Sequence, residues 1–288
     1  MNLISNFKKF FNDFKFVIVG ILIACCFSVY ADNCFISDTA DNVQYGETTV
    51  QHALDEIYSR NNKVNYFATD DWDTIINNVK SGTISRYNIG DEREIELEGY
   101  GTHKLRISNM SSPDECNDSS FSTTGCGFVL EFADIITTDK INQDYACPGV
   151  WPNSEIRTFI NEDIYNSLPA VLREAIIDSN AVSNANGYSS SSSTDKLYLL
   201  NMREIGYKAP IIDVDYSSSN SRSLDYYVLN NDIQREKKYN DTNTDWWLRS
   251  ADNDTSYPCF WFYVSYDGFY RSKNNNSNAG ISPAFRIG

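Results

Sequence analysis

The dipeptide Asp267-Gly268 joins the run Phe260-Trp261-Phe262-Tyr263-Val264-Ser265-Tyr266 to Phe269-Tyr270-Arg271-Ser272. Aromatic and β-branched stretches meeting at Asp-Gly are the strongest short-range signal for a β-hairpin, because the glycine supplies the positive φ of a tight turn. The chain is thereby committed to antiparallel structure near its C-terminus. With a two-residue turn, Tyr266 opposes Phe269, Ser265 opposes Tyr270 and Tyr263 opposes Ser272. Alternation then places Phe260, Phe262, Val264 and Tyr266 on one face, and Trp261, Tyr263, Ser265 and Tyr270 on the other. The first face, carrying Val264 and two phenylalanines, is expected to meet the core. The second is expected to send Trp261, Tyr263 and Tyr270 outward.

A second hairpin is legible in Arg93–Ser108, where Ile95 and Leu97 alternate, Gly99-Tyr100-Gly101 turns, and Leu105 and Ile107 alternate again. The apolar run Cys126–Thr137 reads as a buried strand. Helices are expected where Trp72, Ile75, Ile76 and Val79 form a stripe between a cap at Asp70 or Asp71 and a stop at Gly82. Two more are expected, over Asn153–Leu168 and over Leu168–Ile177 with Pro169 in the first turn. Asp195–Asn201 returns to strand, Ser189–Ser193 reads as a surface loop, and residues 213–245 form a long polar insertion. The order of elements predicts an α+β fold, a mixed, mainly antiparallel sheet with packed helices.

The N-terminus has a different character. Lys8, Lys9 and Lys15 precede the apolar run Phe16–Tyr30, which exits at Val29-Tyr30-Ala31. That is the pattern of a secretory signal cleaved after Ala31, and the run is shorter than the roughly 20 residues a spanning helix prefers. Two other fates are open: Leu22-Ile23-Ala24-Cys25 has the form of a lipobox, with Cys25 lipidated, or the hydrophobic helix is retained as a membrane anchor. All three place the remaining chain outside the cytoplasm, at the cell envelope or beyond it. The predicted organisation is 1–31 signal peptide or anchor, 32–65 linker, and 66–288 α+β head. Within the linker, Val50, Ala53, Leu54, Ile57 and Tyr58 form a helical stripe, begun by the capping pair Thr48 and Gln51. A helix this short needs a packing partner, so self-association through residues 48–60 is one role for it.

Charge narrows the partners. The 24 Lys and Arg against 39 Asp and Glu give a formal charge of -15, which argues against nucleic acid. The two histidines, His52 and His103, are not at metal-ligand spacing, and no CxxC occurs. In an exported chain, Cys116 and Cys126, which flank a loop without apolar pattern, are expected to form a disulfide. No catalytic residue and no metal ligand is assigned.

Six blocks occur in an order that resembles a bacterial family of uncharacterised exported proteins without established activity: YFATDDWDTI, CGFVLEFADIIT, WPNSEIRTFINEDIYNSLP, DKLYLLN, DWWLRSA and GISPAFRIG. The resemblance spans residues 66–288. The last two blocks are similar to the C-terminal half of C-type-lectin-like folds, which serve as ligand-binding heads and as the scaffold of formylglycine-generating enzymes. The latter need two cysteines near the end of the chain, where only Cys259 lies, so the resemblance favours binding. The segment TVQHALDEIY also resembles short segments that join stalk to head in phage tail and bacterial surface proteins.

Trp246, Trp247, Arg249, Pro283 and Phe285 are read as structural, with Arg249 a hydrogen-bonder to an acid in the sheet. The stretch between them supplies the candidate ligand contacts: Asp252, Asn253, Asp254, Tyr257, Trp261, Tyr263, Tyr270 and Asn275. Tyr and Trp give contact area at low entropic cost, and small polar residues give adaptable hydrogen bonds. Asp252-Asn253-Asp254 has the spacing of a calcium loop but lacks the glycine and distal glutamate of one, so a solvated acidic loop is the reading and no cofactor is expected. The function expected is that of an exported, envelope-associated protein binding a protein or glycan. The alternatives are an envelope enzyme with an unlocated acid-based site and a structural envelope subunit.

Overall fold

The computed structural model describes residues 44–45, 48–49, 64–117, 122–144, 150–185, 189–207, 222–228, 232–252 and 259–288. The chain divides into two units, Met1–Val64 and Asn65–Gly288. In the first, β1 (Gln44–Tyr45) pairs antiparallel with β2 (Thr48–Thr49). Thr48 is thus extended. The rest of the 48–60 stripe and the N-terminal hydrophobic helix, with Cys25 and Ala31, lie outside the described residues. No helix among the described residues is long and apolar enough to cross a membrane.

The second unit opens with α1 (Tyr66–Thr69) and α2 (Trp72–Ser81). The Asp71 carboxylate accepts the Thr74 amide at 2.7 Å, satisfying one of the orphan donors of the first turn. Gly82, at φ 72°, closes the helix, and Ile75 and Ile76 are buried. These are the cap, stop and stripe that the sequence predicts.

Two five-stranded sheets follow. One has the order β3 (Glu92–Leu97), β4 (Gly101–Met110), β5 (Phe128–Phe132), β16 (Ala284–Ile287) and β7 (Ile176–Ile177), antiparallel throughout. The other has the order β14 (Tyr270–Asn274), β13 (Phe260–Val264), β12 (Trp246–Ala251), β15 (Ala279–Ile281) and β6 (Thr137–Asp139), with only β12 and β15 parallel. The fold is mixed α+β and mainly antiparallel. The WWLRS block is β12 and the AFRI block is β16, and each has neighbours on both sides. Both are buried along their whole length, as apolar strands covered on two faces must be. Ser282 and Pro283 carry the chain from one sheet to the other. Proline has no N–H to give a ladder, and its carbonyl accepts the Phe132 amide at 3.0 Å.

The helical run reads α3 (Glu155–Phe159), a π turn (Ile160–Ile164) and α4 (Tyr165–Ser167), and α5 (Ala170–Ala175) follows Pro169. Two expectations fail here. The serine run is strand: β9 (Ser189–Asp195) pairs along its length with β8 (Ser179–Ala185). Serine side chains carry no burial signal, so the backbone ladder alone decides that segment. Asp195 ends β9, and from Lys196 to Asn201 the chain contributes only a bridge, Tyr198 to Ala284, although Leu197 to Leu200 are fully buried. The polar insertion contains a hairpin of β10 (Lys238–Tyr239) and β11 (Thr242–Asn243). Its turn residues Asn240 and Asp241 both have positive φ, 49° and 63°, as a type I′ turn demands.

Candidate functional site

The C-terminal hairpin forms where the sequence predicts it, one residue out of the predicted register. Val264 pairs with Tyr270, Tyr263 with Arg271 and Phe262 with Ser272. The Gly268 amide donates to Ser265 O at 2.9 Å, the Ser265 amide donates to Phe269 O at 2.7 Å, and Gly268 alone in the turn has positive φ, 79°. This is a three-residue loop with a glycine bulge, not a two-residue turn. Strand side chains alternate with period two, so a slip of one residue moves a whole strand face to the other side.

Tyr270 is displaced by that slip. It lies on the Phe262 side, with ring centroids 6.2 Å from Phe262 and 4.9 Å from Tyr207. Trp261 and Tyr263 keep the other face, but that face is covered. The Lys273 side chain lies over it, with Nζ 4.1 Å from the Tyr263 ring centroid and 5.0 Å from that of Trp247. Trp247 packs edge-on against Tyr263. Trp261 is fully buried and Tyr263 is buried, so neither is the outward contact expected of it. Burial, then the charge of Asp245, pushes the Tyr263 hydroxyl pKa up and keeps it neutral.

Asn275 is fully buried as well. Its amide donates to Cys259 O, and its carbonyl accepts the amides of Ile141 and Asn142, tying β14 to the segment after β6. Asp252 is buried, with its amide on Phe260 O at 2.8 Å. Asn253, Asp254 and Tyr257 lie outside the described residues.

The aromatics of this hairpin that do face solvent are Tyr266, 58% exposed, and Phe269, 52% exposed. They account for two of the five large exposed hydrophobics among the described residues, and both sit on one turn. Sequence alternation assigns Tyr266 to the core; the loop, longer than a two-residue turn, lifts it out of the strand. The turn is braced. Arg271 donates to Ser265 Oγ at 2.7 Å and to Asp267 Oδ2 at 2.8 Å. The Tyr266 amide donates to Asp245 Oδ1 at 3.1 Å, and the Tyr207 hydroxyl donates to Gly268 O. A platform held by four separate contacts presents its two rings without losing much freedom on contact.

Arg249 is no part of this surface. It is fully buried and forms a bidentate pair with Glu204, Nη1–Oε2 at 2.6 Å and Nη2–Oε1 at 2.7 Å. It also donates to the carbonyls of Leu199 and Val182 and to the hydroxyls of Thr124 and Ser122. Trp246 and Trp247 donate their indole N–H groups to Arg235 O and Asp139 O, as buried indoles normally must. Pro283 and Phe285 are buried as well.

A groove of about 660 Å³ lies elsewhere on the molecule, lined among others by Tyr100, His103, Asp134, Glu236, Tyr239 and Asn243. Its charges largely satisfy one another: Glu92 with Lys104 and Arg106, Asp134 with His103, and Glu236 with Asn243. Sequence reasoning misses His103 because a single histidine carries no spacing signal. Its Nδ1 is 3.1 Å from Asp134 Oδ2 and its Nε2 is 3.2 Å from Tyr100 O. Both partners are acceptors, so the doubly protonated ring suits the site. Burial disfavours that charge, but the hydrogen bond and charge of Asp134 outweigh it, and the pKa is raised. A raised folded pKa stabilises the fold fully below the unfolded value, and that stabilisation is lost as pH rises through the folded value. Denaturant titrations at pH 5 and pH 9 should show this loss in the wild-type chain, and His103→Gln should remove it.

Cys116 and Cys126 are joined in a disulfide with Cα atoms 5.7 Å apart. Cys259 is fully buried and also disulfide-bonded. Among the described residues no group of three or more His, Cys, Asp or Glu is placed to hold a metal ion.

A family model described as a domain of unknown function (DUF6273) matches residues 128–288, from β5 to the C-terminus. No curated protein and no solved structure matches the chain.

Proposed function

The chain belongs to the DUF6273 family, a domain of unknown function, and from that premise we propose that it is an exported, envelope-associated binding protein. The turn between β13 and β14 makes the contact with a protein or glycan. The observation that carries this reading is the braced pair of exposed rings, Tyr266 and Phe269. Exposed aromatics on a rigid turn supply the large desolvated contact that dominates recognition energy. The groove beside His103 is the weaker candidate, because a ligand there would have to break charge pairs already made. Export is supported by the basic and apolar N-terminal pattern and is compatible with the disulfides. The lectin-like assignment of the head is supported by the WWLRS and PAFRIG blocks.

The test is binding of the full chain to a glycan array and to intact bacterial cells. Tyr266→Ala together with Phe269→Ala should lower affinity for the bound target about tenfold or more, the scale of a hot-spot loss of ~1.4 kcal/mol or greater. Near-UV circular dichroism should be unchanged, because neither ring supports the core. If every target is bound equally by the double variant, the turn is not the contact surface.

A further inference from the structure

Arg286, the arginine of the PAFRIG block, is only 6% exposed, yet no carboxylate pairs with it among the described residues. The comparably buried Arg106 and Arg249 hold Glu131 and Glu204. Its Nε is buried without a hydrogen-bond partner, and its Nη2 lies 3.0 Å from Cys116 Sγ. Burial lowers its pKa, opposed only by Tyr198. Gly127, at φ 71°, leaves room for the contact: a Cβ there would meet Arg286 Nη2 at 3.1 Å and lie 3.7 Å from Cys116 Sγ.

A disulfide is neutral, so a guanidinium placed on one of its sulfurs has no counter-charge. Reduction supplies one, since a Cys116 thiolate would sit against Arg286. A neighbouring cation lowers a cysteine pKa, and a thiol of lower pKa is the better leaving group in exchange. The two sulfurs differ in the right sense. Cys116 is half-buried, whereas Cys126 is fully buried. Cys126 Sγ lies 3.3 Å from Thr123 O, an acceptor that suits a thiol S–H and opposes a thiolate. The carboxylate nearest in sequence to Cys116, Glu115, is paired with Arg222, which also holds Asp225. Asp114 lies on the same turn and is exposed.

We propose that Cys116 and Cys126 form a redox-active pair that exchanges with thiols, with Arg286 stabilising the Cys116 thiolate. A thiolate attacks Cys116 Sγ and forms a mixed disulfide. The Cys116–Cys126 bond breaks, and its electron pair passes to Cys126, which takes a proton from solvent and keeps it, its S–H hydrogen-bonded to Thr123 O. A second thiolate attacks the incoming sulfur of the mixed disulfide and releases Cys116 as a thiolate on Arg286. Two thiols are oxidised to one disulfide and the protein disulfide gains two electrons. The activity is independent of what the β13–β14 turn binds.

The test equilibrates the full chain with reduced and oxidised glutathione and reads the reduced fraction of the Cys116 peptide by alkylation and mass spectrometry. The pair should be measurably reduced within that buffer range with native near-UV circular dichroism retained. In the reduced chain, alkylation of Cys116 by iodoacetamide should show a midpoint below the ordinary thiol value of about 8.5. Arg286→Gln should raise that midpoint by about one pH unit and shift the equilibrium about tenfold toward the disulfide. Arg286→Lys should retain most of the wild-type behaviour, and it decides the question if the glutamine variant does not fold. An ordinary midpoint unmoved by either variant, or unfolding upon reduction, would overturn the proposal and leave a purely structural crosslink.

Discussion

Replacement of Glu204 by Gln is expected to lower the unfolding free energy by about 3–5 kcal/mol, the scale found when one partner of a buried ion pair is removed. Glu204 gives both carboxylate oxygens to Arg249 and accepts the Asn201 amide at 2.8 Å and the Thr124 hydroxyl. Glutamine keeps the shape but not the charge, so the Arg249 guanidinium would stay buried among carbonyls and hydroxyls with its charge uncompensated. Arg249→Met should cost a similar amount, since Glu204 is then the uncompensated charge. Combining Arg249→Met with Glu204→Met should be less damaging than the sum of the two, because the pair is lost together. The double variant will not reach wild-type stability, as Thr124, Ser122 and the Val182 and Leu199 carbonyls lose their donor. Urea unfolding monitored by tryptophan fluorescence measures each of these losses; one under 1 kcal/mol for Glu204→Gln would show that the pair is not the knot described.

Glu131 should be equally costly, and its effect should depend on pH. It lies between two buried cations, with Oε1 2.9 Å from Arg106 Nη2 and Oε2 2.8 Å from Lys237 Nζ. The Tyr227 hydroxyl donates to Oε2 at 2.9 Å. Burial pushes the carboxyl pKa up, but Lys237 and Arg106 overcome it and hold the pKa at about 2. Burial, with the like charge of Arg106, lowers the Lys237 pKa to about 8 against the attraction of Glu131. For a carboxyl with a depressed folded pKa, the stabilisation is present above the unfolded value of about 4.5 and is lost as pH falls toward 2. The loss should be roughly 3 kcal/mol, because each tenfold change in proton affinity is worth about 1.4 kcal/mol. Glu131→Gln should cost about 3–5 kcal/mol at pH 6 and should abolish that acid limb. It should also lower the Lys237 pKa further, so that the variant gains stability as pH rises through the neutral range. Equilibrium unfolding between pH 2 and pH 9 distinguishes these outcomes, and an unchanged acid limb in the variant would rule out Glu131 as its source.

The local parts of the fold were legible because they depend on neighbours in sequence. Asp71 and Gly82 bound a helix through their own side chain and backbone, and the glycines at 99 and 101 mark the turn of a hairpin that forms where the alternation places it. The C-terminal hairpin was legible only in outline. Asp-Gly marks a turn but does not select between a two-residue turn and a three-residue loop with a bulge, and that choice set the faces of Tyr266 and Tyr270. The ladder of the serine run was hidden for another reason: its pairing needs only backbone groups, and serine does not advertise them. The burial of Tyr263 was hidden because its cover includes Lys273, a residue that composition places at the surface.

By itself the sequence determined what short-range chemistry determines: an acidic chain, capped helices, antiparallel hairpins and two apolar strands at WWLRS and PAFRIG. Only the tertiary structure decided which charges became partners. Arg249 meets Glu204 across 45 residues, Lys237 meets Glu131 across 106, and Arg286 meets Cys116 across 170. A buried charge is stable only against whatever group the fold brings within hydrogen-bond reach. No periodicity along the chain encodes that meeting, because it is fixed by the order in which strands lie side by side.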